Sequence, residues 1–229
     1  MFCMRRTVLV CLLLTSISLA GQEVPRVEVF GGYSYLHVDT NGASASSLNQ
    51  LCSTLTLGNC PFMFQVHPNF NGWNAAAQIN LSPWLGVKAD FSGHYGNLVT
   101  ATSTSASFQG VQLFNFSTPS QANYDLAFGP VLSYRKHNYS LFFEGLIGDE
   151  HQTFSSVQLP AGLGSFAGPS SRDYFAIITG GGIEVRAGKR LRIRPAEVDY
   201  VFVKNSSTSV GHQNNFRVSA GLVFTFGRL

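Results

Sequence analysis

Residues 215–226 read N-F-R-V-S-A-G-L-V-F-T-F, with apolar side chains alternating strictly with small or polar ones. A period of two is that of a β-strand with one face in an apolar medium, since successive side chains point to opposite faces. The same alternation, bounded by turn residues, recurs along the chain and predicts eight strands: 27–38, 73–81, 85–95, 124–134, 139–151, 174–185, 191–203 and 215–226. No capped segment of helical period interrupts them.

The connections alternate in length. Strands two and three are joined through 82–84, four and five through 135–138, and six and seven through 186–190. The other four connections, 39–72, 96–123, 152–173 and 204–214, are long and rich in Ser, Thr, Asn, Gly and Gln. Short turns at one end and long polar loops at the other predict an all-β fold, an eight-stranded antiparallel up-and-down transmembrane β-barrel with short periplasmic turns and long extracellular loops.

A soluble lipocalin-like barrel shows the same period with its apolar face inward. Two observations oppose it. Charged residues are only 12% of the chain, about half the usual share in soluble proteins, and Lys88 is the one lysine well inside a predicted strand. If Val87, Ala89 and Phe91 face lipid, then Lys88, Asp90 and Ser92 face the lumen, and the same parity carries Asp125, Glu144, Glu184 and Arg217 inside. Gly86, Gly129, Gly148, Gly180, Gly182 and Gly221 share that face and make room for long neighbours. In the seventh strand Arg192 and Arg194 have one parity and Glu197 and Asp199 the other. A bulge at Pro195 would return all four to the lumen, completing a charge network with Arg194. An eight-stranded barrel is about filled by side chains, so these groups are expected to pair with one another.

Aromatic residues gather near the predicted strand ends, as at membrane interfaces. Tyr33, Tyr35, Trp73, Tyr95, Tyr124, Tyr174, Tyr200 and Phe216 form one girdle, and Trp84, Tyr134, Tyr139 and Phe226 the other.

The start of the chain supplies an address. Residues 1–20 combine Arg5 and Arg6, an apolar run from Val8, and small residues Ser18 and Ala20. This predicts a cleaved secretory signal peptide, followed by a single barrel domain over 21–229. Losing Arg5 and Arg6 takes Lys plus Arg from 15 to 13 against 12 Asp plus Glu, so the net charge gives no reason to expect a nucleic-acid partner. Cys3 and Cys11 leave with the signal. Cys52 and Cys60 remain in one loop, and in an oxidising compartment they are expected to form a disulfide.

Gly31-Gly32-Tyr33-Ser34-Tyr35, Gly180-Gly181-Gly182-Ile183-Glu184-Val185, Arg194 with Asp199-Tyr200, and Ala220-Gly221-Leu222-Val223-Phe224-Thr225-Phe226 stand in order along the strands. Together they resemble the small OmpA-type outer-membrane β-barrel domain, over essentially all of 21–229. The resemblance implies residence in the bacterial outer membrane, contact with its lipid, and delivery by the barrel-assembly machinery. The assembly signal falls on Gly221, Phe224 and Phe226, although Gly227-Arg228-Leu229 follow the last aromatic. The peptidoglycan-binding domain of longer relatives is not expected here, and a monomer is.

No enzyme and no cofactor are expected. Some small outer-membrane barrels modify lipid A with a His, a Ser and an acid at the outer rim. Here His137 and Ser140 lie at a short turn, and His212 is followed by Gln213 and Asn214. No nucleophile has both a base and an orienting group in reach. His37, His94, His151 and His212 fall at outer strand ends, with Asp39 near. Lacking metal-ligand spacing, they read as polar interface residues. The function expected is structural or surface-interacting through the loops, by adhesion or ligand binding. The alternative is a porin-like narrow passage for a small solute.

Overall fold

In the computed structural model the described residues are 24–40, 44–55, 62–103, 116–117, 120–155, 157–158, 165–167, 170–204 and 211–229. The expected signal peptide and Cys60 lie outside them. Eight strands close a barrel: β1 (Val27–His37), β3 (Asn69–Asn80), β4 (Leu85–Gly96), β7 (Gln121–Arg135), β8 (Tyr139–Phe154), β11 (Ser170–Arg186), β12 (Leu191–Lys204) and β13 (Gln213–Phe226). Each pairs antiparallel with its neighbour in chain order, and β1 pairs with both β3 and β13, so no edge is left open. This is the eight-stranded up-and-down barrel expected.

The strands run further at the long-loop end than alternation suggests. The second begins at Asn69 rather than residue 73, the fourth at Gln121 rather than 124, and the fifth ends at Phe154 rather than 151. The added stretches are rich in polar residues, with Asn69, Asn71, Gln121, Asn123, Gln152 and Thr153 among them, which reads as loop in the sequence. Asn123, Gln152 and Gln213 nevertheless keep lumen parity and are buried there among polar partners, so pairing continues.

Beyond this rim the connections are not uniformly irregular. Helix α1 (Ala45–Leu55) and strand β2 (Phe62–Val66) follow β1, and β2 pairs with β5 (Val99–Ser103), which in turn pairs with β6 (Phe116–Ser117). A second small ladder joins β9 (Val157–Gln158) to β10 (Ser165–Ala167). Ser44 caps α1, its hydroxyl accepting from the amide of Ser47 at 3.1 Å.

The outer wall is apolar. Leu126 and Phe128 are each 61% exposed and Phe143 57%, in a belt continued by Ile147, Phe91, Val218, Leu222 and Phe224. A contiguous apolar surface circling a molecule is incompatible with water and suited to lipid. Trp84, Tyr134, Tyr139 and Phe226 are exposed at the short-turn end, as expected for one girdle. At the other end Trp73 packs edge-on to Phe91 at 4.9 Å, Tyr95 to Tyr124 at 5.9 Å and Tyr200 to Phe216 at 5.6 Å. Tyr174 does not belong to that girdle. Its even position on β11 turns it inward, where it is buried with Leu146, Ile178, Val201 and Val203.

That cluster departs from a wholly polar lumen. Leu36, Val38 and Phe70 form another inward apolar group near the long-loop end, and Phe30 packs with Ala76 and Val223 nearer the turns. The interior is therefore a packed core of mixed character rather than a polar channel.

Gly32 and Gly221 lie opposite one another where β1 closes on β13. A Cβ on Gly32 would overlap the Ala220 carbonyl, and one on Gly221 the Gly31 carbonyl. Backbone, not a movable side chain, sets this limit. Gly221→Val should therefore abolish the compact, fast-migrating form seen when unboiled protein is run on a denaturing gel, while the unsubstituted chain shows it and loses it on boiling.

Candidate functional site

The strands position the charged residues because alternate residues of every strand share the lumen. The parity change on β12 is absorbed as a register shift between Arg194 and Glu197, around Pro195. Arg192, Arg194, Glu197 and Asp199 consequently all face inward. Pro195 suits the irregular point, since it has no amide to give to the ladder.

At the barrel centre the Lys88 ammonium is 1% exposed. It donates to both oxygens of Glu144 at 3.0 and 2.9 Å and to Glu197 Oε1 at 2.7 Å, and lies 3.3 Å from Asp90 Oδ2. Arg217 is 0% exposed. It donates through Nη1 to Asp90 Oδ1 at 2.7 Å and through Nε to Asp199 Oδ2 at 2.9 Å. Asn74 completes the shell of Asp90 with two further hydrogen bonds, at 2.9 and 3.0 Å. Toward the turns Arg194 bridges Glu197 at 2.8 Å and Glu184 at 2.7 Å. Its guanidinium lies between the Phe30 ring, 4.2 Å away, and the Phe142 ring, 4.5 Å away. Each cation thus meets more than one carboxylate, the condition under which buried charges are tolerated.

Asp125 lies further toward the long loops, accepting from Ser92 at 2.8 Å. Ser92 also accepts from Arg217 Nη1 at 3.1 Å, which ties Asp125 to the central network. Lys88, Asp90, Asp125, Glu144, Glu184, Arg194 and Arg217 are thus brought together in one lumen. Gly221, Phe224 and Phe226 do not join them: Gly221 closes the seam, and the two phenylalanines face outward. Cys52 sits on α1, and its expected partner Cys60 lies outside the described residues.

The lumen also holds members that sequence reasoning did not place. Glu28, Asn80 and Arg135 form a separate group near the turns, with Arg135 donating to Glu28 at 2.6 Å and to Asn80 at 3.0 Å. Arg135 reads as a turn residue in the sequence. Its position at the end of β7 lets the long side chain reach back inside. Glu150 faces inward opposite Asp125 on the neighbouring strand, and Gln152 donates to it. The parity of Glu144 predicts Glu150, three steps of two along the same strand.

The histidines do not converge as a rim group. His94 is buried in the lumen, its Nε2 hydrogen-bonded to Ser34 at 2.8 Å and its Nδ1 4.0 Å from Asp125. The order Ser34, His94, Asp125 imitates a nucleophilic triad, but the acid is beyond hydrogen-bond reach. Ser34 is fully buried and also bonded to Ser219 at 2.9 Å. Ser34 therefore has no exposed surface, and Asp125 does not orient the imidazole as the acid of a triad would. His37 pairs with Asn69 at 2.8 Å, and His212 stacks on Phe202 with 5.5 Å between ring centres. His151 pairs with Asp173 at 2.5 Å on the outward face of β8 and β11.

Among the described residues one group of acids could hold an ion, Asp90, Glu144 and Glu197, whose oxygens lie within 4.8 Å of one another. The Lys88 ammonium already stands in contact with all three and supplies the positive charge there.

A closed eight-stranded meander with an apolar outer wall and a charge-filled lumen is the fold of the small OmpA-type outer-membrane barrels. Neisserial surface protein A, NspA, has this structure with a TM-score of 0.53 and 9% identity, over 87% of this chain and 97% of that one. The outer membrane protein OprG from Pseudomonas aeruginosa matches with a TM-score of 0.50 and 11% identity, over 90% and 98%. Ail, the attachment invasion locus protein of Yersinia pestis, gives 0.48 and 18%, over 87% and 99%. No protein-family model and no curated protein sequence matches the chain.

Removing one partner of a buried, hydrogen-bonded pair costs about 3–5 kcal/mol, whereas an exposed pair contributes roughly 0–1 kcal/mol. Arg217→Leu should therefore destabilise the folded barrel by about 3 kcal/mol or more. Asp173→Asn, which breaks the exposed pair with His151, should change stability by less than about 1 kcal/mol. Urea unfolding in lipid vesicles, followed by tryptophan fluorescence, measures both.

Proposed function

We propose that the protein is a monomeric outer-membrane barrel whose role is structural and surface-interacting, with the filled barrel serving as a rigid frame for the long-loop end. The observation that carries this reading is the central network. Lys88 on β4 and Arg217 on β13 cross the lumen and are bonded to carboxylates on β4, β8 and β12. Side chains occupy the axis that a solute would need, and moving them aside would separate several buried ion pairs at once. The apolar outer belt supports residence in a bilayer, and residues 1–20 have the composition of an export signal.

In this reading the short turns face the periplasm and the long connections face outward. Those connections carry α1 and two small β-ladders, an ordered surface that an adhesive or ligand-binding role requires. Cys52 on α1 pairs with Cys60 and clasps the first of them. The closing strand, with Gly221, Phe224 and Phe226, is read by the barrel-assembly machinery. Enzymatic activity is not part of the proposal, because the buried Ser34 and His94 lack access and the exposed His151 and Asp173 have no nucleophile assigned to them.

Single-channel recording in planar bilayers distinguishes the frame from a passage. The folded chain should give no stable conductance steps at neutral pH. Reproducible openings that change size in Glu144→Gln would instead favour a narrow pore. Whole cells displaying the protein should lose their binding to a host or matrix surface when residues 44–55 are deleted, with the barrel still heat-modifiable.

A further inference from the structure

The short-turn end of the barrel opens into a cavity of about 840 Å³, bounded by the β7–β8 turn, the β11–β12 turn and the end of β13. Arg135 and Arg192 line it from within the lumen, and Lys136, Arg186, Lys189 and Arg190 surround it from the turns. Among the described residues, none of those lining it is Asp or Glu.

The two inner guanidiniums are built in rather than loose. Arg135 is fixed by Glu28 at 2.6 Å and Asn80 at 3.0 Å, and Arg192 by Ser140 at 2.5 Å and Glu184 at 3.4 Å. Their carboxylate partners are shared: Glu28 also accepts from Asn80, and Glu184 from Arg194 at 2.7 Å. Two carboxylates therefore face a larger number of cations, and the mouth keeps an excess of positive charge. The opposite end differs, with Asp39, Asp149 and Asp173 set against Arg172 and Lys204. Positive charge is thus gathered at one end of the molecule.

A cleft lined by one sign of charge between low-dielectric walls concentrates field and attracts counter-ions. Guanidinium forks approaching from several directions, with the hydroxyls of Ser140 and Thr225 in the same cavity, suit a tetrahedral oxyanion better than a planar carboxylate, which one fork satisfies. We propose that this mouth is a binding site for phosphate groups, with Arg135 and Arg192 as its fixed floor and Lys136, Arg186, Lys189 and Arg190 as its rim. The phosphate belongs either to an anionic lipid headgroup or to a soluble phosphorylated solute. Exposed Trp84, Tyr134 and Tyr139 set the membrane interface at this same end, within reach of a headgroup.

The test uses the full chain folded in a neutral detergent. Calorimetric titration with pyrophosphate reports the soluble source. Native mass spectrometry with phosphatidylglycerol or cardiolipin, against phosphatidylethanolamine, reports the lipid source. Saturable one-to-one binding of either kind is expected, falling with added salt and weakened on the order of tenfold in the double variant Lys189→Ala with Arg190→Ala. The pair Lys189→Arg with Arg190→Lys should retain it. Binding of the anionic lipids alone assigns the site to the membrane, and binding of pyrophosphate alone assigns it to a solute; both support the site. Arg186→Ala, on the other arm of the same turn, gives an independent reading with heat-modifiability as the check of folding. The proposal fails if neither probe binds above the phosphatidylethanolamine level, or if both the double variant and Arg186→Ala bind as tightly as the unsubstituted chain.

Discussion

Every feature of this barrel follows from one constraint: a charge placed inside a closed ring of eight strands can be compensated only by other side chains in that ring. Water cannot hydrate Arg217 or Lys88, which are buried, and lipid surrounds the wall. Glu144, Glu197, Asp90 and Asp199 therefore have to arrive at the same level from β8, β12, β4 and β12. Register around the whole barrel is tied to that meeting, because a slip of one residue on any strand would send its charges to the outer wall and its apolar residues inward. The bulge at Pro195 is the visible adjustment, restoring parity where the chain carries one residue too many.

Much of this arrangement is legible in the amino-acid sequence. Period-two alternation separates Val87, Ala89 and Phe91 from Lys88 and Asp90, and the parity break on the seventh strand points to Pro195. What a periodic pattern cannot carry is partnership between strands. Lys88 and Glu197 are 109 residues apart, and Arg217 and Asp90 are 127 apart. Their contact depends on strand stagger and on the lengths of all the intervening connections.

The misreadings have a common physical source, the treatment of strand ends as surface. His94 stands at the end of a predicted strand and reads as a rim residue, yet pairing runs on past it to Gly96 and its parity turns it inward. Tyr174 reads as an interface aromatic for the same reason and is instead packed against Leu146 and Ile178. Asn123, Gln152 and Gln213 read as loop because they are polar, in a protein whose interior is where polar residues belong. Local composition also conceals α1, a short helix of Ser, Asn, Gln and Leu that gains its place from contact with β2, including a hydrogen bond from the Phe64 amide to Asn49 at 3.0 Å.

A filled, register-locked centre leaves the two ends free to differ. One end carries the long connections with their own small sheets, and the other a ring of cations around a cavity. The central claim is that compensation among lumen charges holds the barrel closed, and a thermodynamic cycle on Lys88 tests it most directly. Unfolding free energies would be measured for Lys88→Met in the unsubstituted chain and in the background of Glu144→Gln with Glu197→Gln. The account predicts a large loss in the first case and a loss smaller by at least about 1 kcal/mol in the second, because the one carboxylate left, Asp90, keeps Arg217 and Asn74 as partners. Equal losses in the two backgrounds would contradict it.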